Sequence, residues 1–92
     1  MTQSRDVLTA DDVRVAVFAK PPWNKRGYDP KSVHDFLALA VRRLEGRGHL
    51  SADDVRGIRF PRSPIGRRGY DMREVDDYLV AVADAVAAMD ER

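Results

Sequence analysis

Lys25-Arg26-Gly27-Tyr28-Asp29 and Arg67-Arg68-Gly69-Tyr70-Asp71 are one five-residue hinge written twice in a chain of 92 residues. Each copy follows a proline-bearing loop and leads straight into an apolar pattern of helical period, so each reads as a turn that launches a helix. Aligned at an offset of 42 residues, the copies extend the match in both directions without a gap. Leu8, Ala10, Asp11, Asp12, Val13 and Arg14 return as Leu50, Ala52, Asp53, Asp54, Val55 and Arg56. Phe18 returns as Phe60, Pro22 as Pro64, Val33 as Val75, Asp35 as Asp77 and Leu37 as Leu79. A period of this size marks a repeated structural unit. The chain therefore divides into a loose tail, Met1–Val7, a first unit over 8–46 and a second over 47–92.

Neither unit is long enough to bury much surface alone, so the copies should pack on each other or on another chain. About a third of the residues are charged, the net charge is +1, and cysteine is absent. A disulfide scaffold and a thiolate metal site are thereby excluded. His34 and His49 have no partner spacing for a metal or a nucleophile. No cofactor is expected and no catalytic constellation can be assembled, so the chain does not read as an enzyme. The balanced charge, with acidic residues beside each basic cluster, argues against a nucleic-acid partner. The longest apolar run is broken by Asp84 and too short to span a bilayer, and the N-terminus lacks the apolar core of a signal peptide. A cytoplasmic protein is expected, free to sit on the inner membrane face.

Within each unit the punctuation is dense. Thr9 and Ser51 are helix caps followed by Asp11 and Asp12, or Asp53 and Asp54, with Leu8–Val13 and Leu50–Val55 at the spacing of hydrophobic staples. A short helix of one to two turns follows each. Then come about 14 residues with Pro, Gly and basic side chains and no helical period, a loop long enough to suggest function. Phe18 and Phe60 are expected in the core, and the tips carry Trp23-Asn24 and Ile65-Gly66. Gly27 and Gly69 are expected to supply unusual backbone angles. Asp29 and Asp71 cap the long helices, with Pro30 at the first helical position and Glu74 placed to complete a capping box. Tyr28–Val33 and Tyr70–Val75 are spaced as staples.

The long helices show three-four spacing: Val33, Leu37, Ala40 and Leu44 in one, Val75, Leu79, Val82, Val86 and Met89 in the other. The first should stop at Gly46 or Gly48, and the second should run towards Arg92. The fold class is all-α: two copies of a short helix, proline loop and long helix, the long helices packing as a short parallel coiled coil or bundle. Tyr78 to Met89 is apolar on nearly every face and needs cover on more than one side.

These residues together resemble the N-terminal domain of DivIVA proteins and their GpsB relatives. The pattern is a leucine, a small cap and an Asp-Val pair, then a phenylalanine, a proline loop, the Arg-Gly-Tyr-Asp hinge and a Val-Asp-x-aromatic-Leu helix. The stretch from Leu50 to Leu79 is close to the actinobacterial form, and that from Leu8 to Leu44 is more divergent. The resemblance implies a non-enzymatic cytoplasmic scaffold or adaptor of bacterial cell division or polar growth, held on the inner membrane face by apolar loop tips beside cations. By position these would be Trp23, Lys25 and Arg26, then Ile65, Arg67 and Arg68. It further implies a peptide groove at Tyr70, Glu74 and Asp76, reduced to Ser32, His34 and Ala38 in the first copy. Two joined modules replace the single module and long coiled coil usual in that family.

Expected partners are an anionic membrane surface and division or cell-wall synthesis proteins. The copies pair within one chain, or the chain self-associates as a homodimer or higher. A soluble interaction module docking through the apolar C-terminal helix or the acidic groove is the alternative. Trp23 and Ile65 discriminate: they stand out, or they fold back to complete a thin core.

Overall fold

The computed structural model describes residues 7–91. The expected tail lies outside the described residues except for Val7, which is half exposed. Four helices follow: α1 (Ala10–Arg14), α2 (Pro30–Leu44), α3 (Ala52–Gly57) and α4 (Met72–Asp90). The fold is all-α, two short helix–loop–long helix units in tandem, with no strand among the described residues.

The short helices start where the caps demand. Thr9 Oγ1 accepts from Asp12 N–H while Asp12 accepts from Thr9 N–H, and Ser51 with Asp54 repeats the device. Each box satisfies two otherwise unpaired donors. Asp29 and Asp71 cap α2 and α4 by accepting from Ser32 N–H and Glu74 N–H. The expected second half of the box at α4 does not form, because Asp71 N–H is already given to Ala19 carbonyl at 2.8 Å. Glu74 reaches instead into the first repeat, where its carboxylate accepts from Ala19 N–H at 2.8 Å.

Helix α2 ends at Leu44, and of the two glycines expected to stop it Gly46 does so, with φ +86°. Gly46 N–H donates to Arg43 carbonyl and Arg47 N–H to Arg42 carbonyl, the pair of bonds that closes a Schellman motif.

Each short helix packs on its own long helix, and the long helices meet each other. Their starts adjoin through the Tyr28 and Tyr70 main chains, and their ends adjoin through the ion pair of Arg43 with Asp90. Helices α2 and α4 therefore run side by side in one direction. The core joins Val33, Phe36, Leu37 and Ala40 to Val75, Val82, Ala83 and Val86, closed by Val13 and Val55 from the short helices. Each fully buried valine contributes about 1.5–3 kcal/mol. Of the expected seam, Val33, Leu37, Val75, Val82 and Val86 are buried, whereas Leu44, Leu79 and Met89 are half-buried. Leu79 lines a groove with Val55 and Ile58 beside α3. Contact with the short helices thus carries as much of the core as contact between the long ones, which is the geometry of a small bundle.

Candidate functional site

The two hinge loops cross at the start of the long helices. Tyr28 N–H donates to Tyr70 carbonyl at 2.9 Å, and Tyr70 N–H donates to Tyr28 carbonyl at 3.0 Å. Around this pair the contacts repeat with the two halves exchanged. Asp29 N–H goes to Pro61 carbonyl, as Asp71 N–H goes to Ala19. Tyr28 stacks edge-on to Phe60 with ring centroids 5.4 Å apart, and Tyr70 lies tilted on Phe18 at 5.3 Å. Phe36 meets Phe60, and its counterpart Tyr78 meets Phe18. The expected core positions Phe18 and Phe60 are thus half-buried rings on which the opposite repeat's tyrosine rests.

The chain is therefore folded about an internal pseudo-two-fold axis. The hinge tyrosines reach across it, and the rings expected to staple their own helices find a partner in the other copy.

The crossing explains both hinge glycines. At Gly27 an added Cβ would stand 2.0 Å from Tyr70 carbonyl oxygen, and at Gly69 it would stand 2.5 Å from that of Tyr28. Only Gly69, with φ +74°, also needs the left-handed region, so the expectation of unusual angles holds for that copy and not for Gly27. At Gly27 the requirement is space.

From the crossing the loops project as two fingers. Each tip is a tight turn closed by one main-chain bond, Lys25 N–H to Pro22 carbonyl at 2.9 Å and Arg67 N–H to Pro64 carbonyl at 3.0 Å. Trp23 and Ile65 occupy the corners of these turns and are 85% and 87% exposed. The prolines that open the turns stiffen the backbone behind each apolar residue. Both tips face one hollow of about 340 Å³, lined by Trp23, Asn24, Lys25 and Arg26 from one loop and Ile65, Gly66, Arg67 and Arg68 from the other.

The four cations divide into two kinds. Arg26 donates from Nε and Nη2 to Ser63 carbonyl at 2.9 and 2.6 Å, and Arg68 donates to Pro21 carbonyl. These guanidiniums clamp each finger to the opposite loop and keep spare donors and full charge. Lys25 and Arg67 form no ion pair among the described residues, and both are exposed.

Ser63 is the site residue that sequence reasoning missed. It is fully buried; its N–H donates to Gly27 carbonyl at 2.8 Å and its hydroxyl to Arg67 carbonyl at 2.7 Å. Its counterpart Pro21 has no N–H and cannot return the bond. That one break in the repeat was the available signal.

Net charge conceals how charge is arranged. Residues 15–28 and 57–70 hold Lys20, Lys25, Arg26, Arg59, Arg62, Arg67 and Arg68, and none of the fifteen carboxylates. The acidic neighbours in sequence, Asp29 and Asp71, are turned into helix caps. The balanced composition therefore does not describe the hollow between the tips, where Lys25, Arg26, Arg67 and Arg68 meet without a carboxylate, although Arg59 lies by Asp76 and Asp29 lines a neighbouring hollow with Lys20, Arg67 and Arg68.

The residues expected to form a peptide groove have separate partners. Tyr70 Oη lies 2.6 Å from His34 Nε2, and Glu74 is bound to Ala19. The hydroxyl that meets Asp76 belongs to Tyr28, which donates to Asp76 Oδ1 at 2.7 Å. Tyr28, Asp76, Val55, Ile58, Leu79 and Val80 line a groove of about 370 Å³ together with Arg56 and Arg59, so the one carboxylate faces two guanidiniums and the groove is not the acidic one expected. Burial, then the hydrogen bond to Asp76 and its negative charge, push the Tyr28 hydroxyl up to about 12. The equivalent groove of the first repeat, lined by Val13, Ala16, His34, Leu37, Ala38 and Val41, lacks a carboxylate. The groove thus takes its tyrosine from the first repeat and its carboxylate from the second. Cross-repeat pairing is why Tyr70 is not the tyrosine on Asp76.

No helix among the described residues is long and apolar enough to cross a membrane. No protein-family model, curated protein or solved structure matches the chain.

Proposed function

We propose that the chain is a non-enzymatic scaffold or adaptor that attaches peripherally to an anionic membrane surface through its two loop tips and serves bacterial cell division or polar growth. One observation carries the attachment: Trp23 and Ile65 stand almost fully exposed on adjoining turns, around a hollow lined by four cations and no carboxylate. A core residue would not be held there, and a phosphate-binding surface alone has no need of an isoleucine. Burying two large side chains contributes about 3–6 kcal/mol, and each cation near an anionic leaflet adds about 1 kcal/mol. A single finger would bind weakly. Two fingers fixed to one crossing pay the cost of association once, so their contributions combine. The assignment to division or polar growth, and to the inner membrane face, rests on the resemblance to DivIVA and GpsB proteins.

Co-sedimentation with anionic vesicles tests attachment. The wild-type chain should pellet with the vesicles, and the Trp23→Ala, Ile65→Ala double variant should lose most of that binding; unchanged sedimentation overturns the reading. In a Gram-positive host a fluorescent fusion should concentrate at the septum or poles, and an even distribution over the membrane would remove the division role.

A second reading, a soluble module that docks a partner through the apolar C-terminal helix, is favoured by the groove at Tyr28 and Leu79, in which Val80 is 62% exposed. Loss of a bound apolar peptide in Val80→Lys, with vesicle binding intact, would assign the groove that task.

A further inference from the structure

Resting on that reading, we infer that the hollow between the two tips is a binding site for the phosphate of a lipid headgroup, with preference for a phosphomonoester. Membrane attachment is then selective for headgroup chemistry and does not follow surface charge alone.

The hollow has the composition of an oxyanion cradle. Lys25, Arg26, Arg67 and Arg68 line it, no carboxylate does, and Asn24 adds a neutral amide. Two of the guanidiniums are fixed before any ligand arrives, since Arg26 is held by Ser63 carbonyl and Arg68 by Pro21 carbonyl. A planar fork already in position forms charge-assisted bonds to phosphate oxygens with little further loss of freedom. Lys25 and Arg67, which have no ion-pair partner among the described residues, can close on the same anion. Trp23 and Ile65 flank the cations, so inserting the tips brings the hollow to the depth of the headgroups. A phosphomonoester offers three terminal oxygens and up to two charges, against two oxygens and one charge for a phosphodiester. A cradle with four cations discriminates between them, whereas a diffuse field does not.

Trp23 is the chain's single tryptophan and lines the hollow, so its emission reports on the site. The experiment titrates the full chain with phosphatidylcholine vesicles carrying either phosphatidic acid or phosphatidylglycerol, at compositions matched for surface potential. The blue shift of Trp23 and sedimentation are both read. At least fivefold tighter binding to phosphatidic acid is expected. Lys25→Gln with Arg67→Gln should abolish the difference while retaining some blue shift, and Trp23→Phe should keep the difference by sedimentation while weakening both titrations. Equal affinities at matched potential overturn the headgroup site and leave membrane attachment standing. Absence of binding to both vesicles overturns attachment and the lipid as occupant together. In that case a change in Trp23 emission with inorganic phosphate, abolished by Arg67→Gln, would reassign the hollow to a soluble phosphate.

Discussion

Tyr28 and Tyr70 exchange both of their main-chain hydrogen bonds across an internal pseudo-two-fold axis, and each places its hydroxyl on the long helix of the other repeat. This reciprocal pair joins the two units and fixes the direction in which both loop tips point.

The crossing has no room for side chains at its glycines. Gly27→Ala should cost more than about 2 kcal/mol, because its Cβ would overlap the Tyr70 carbonyl and the main chain must move. Gly69→Ala should cost at least as much, since torsion and overlap both oppose it. Gly46→Ala meets open space but keeps φ +86°, so about 1 kcal/mol is expected. Gly57→Ala, at a helical position with nothing nearby, should be neutral or stabilising by about 0.5 kcal/mol. Urea unfolding of the four variants checks this order.

Ionisation of Tyr28 should be legible in stability. Its hydroxyl pKa of about 12 in the fold lies above the ordinary value of 10.0, so the folded state holds the proton more tightly. The associated stability is fully present below pH 10 and is lost as pH rises through 12. Phenolate absorbance should show Tyr28 titrating late. Asp76→Asn should move that phase down, and Tyr28→Phe should delete it.

Arg26 is a strut as well as a tip cation. Arg26→Ala removes two charged donors from Ser63 carbonyl and should cost about 1.5–3 kcal/mol. Arg26→Lys should recover only part of this, because an ammonium cannot reproduce the fork. Thermal melts followed by circular dichroism measure both. Equal stability of all three proteins would mean that the clamp contributes nothing.

The core on α4 is directional. Val82→Asp would bury an unpaired carboxylate at a position with no exposure and should leave the chain unfolded at room temperature. Val80→Asp, two residues away on the exposed face, should stay within about 0.5 kcal/mol of wild type. Far-ultraviolet circular dichroism separates the outcomes, and a folded Val82→Asp variant would show the bundle core to be misassigned.

The asymmetric break at Ser63 offers a smaller test. Ser63→Ala keeps the N–H bond to Gly27 but leaves Arg67 carbonyl without the hydroxyl, so about 1 kcal/mol is expected. Hydrogen exchange at Gly66 and Arg67 should quicken before the helices do, because the change loosens one finger only.

The helix boundaries were local matters and could be read directly. Thr9, Ser51, Asp29 and Asp71 cap the helices they were expected to cap, and Gly46 ends α2, because a cap is set by residues within one turn of itself. Trp23 and Ile65 were legible as loop tips from the prolines and hinges around them, but that they stand out and do not fold back into the core was decided by the folded chain. The partners of Tyr28, Tyr70, Glu74 and Arg26 were not. In a duplicated sequence a contact made within one repeat and the same contact made between repeats have identical patterns, so periodicity cannot choose between them. Only the folded backbone resolves it, through the Tyr28–Tyr70 pairing that carries each loop over to the other side. Four capped helices, two proline-stiffened loops and the apolar faces follow from residues close together along the chain. That the fingers lie side by side with four cations around the hollow between them came only with the folded chain, because loop crossing and charge proximity depend on distances across the pseudo-axis.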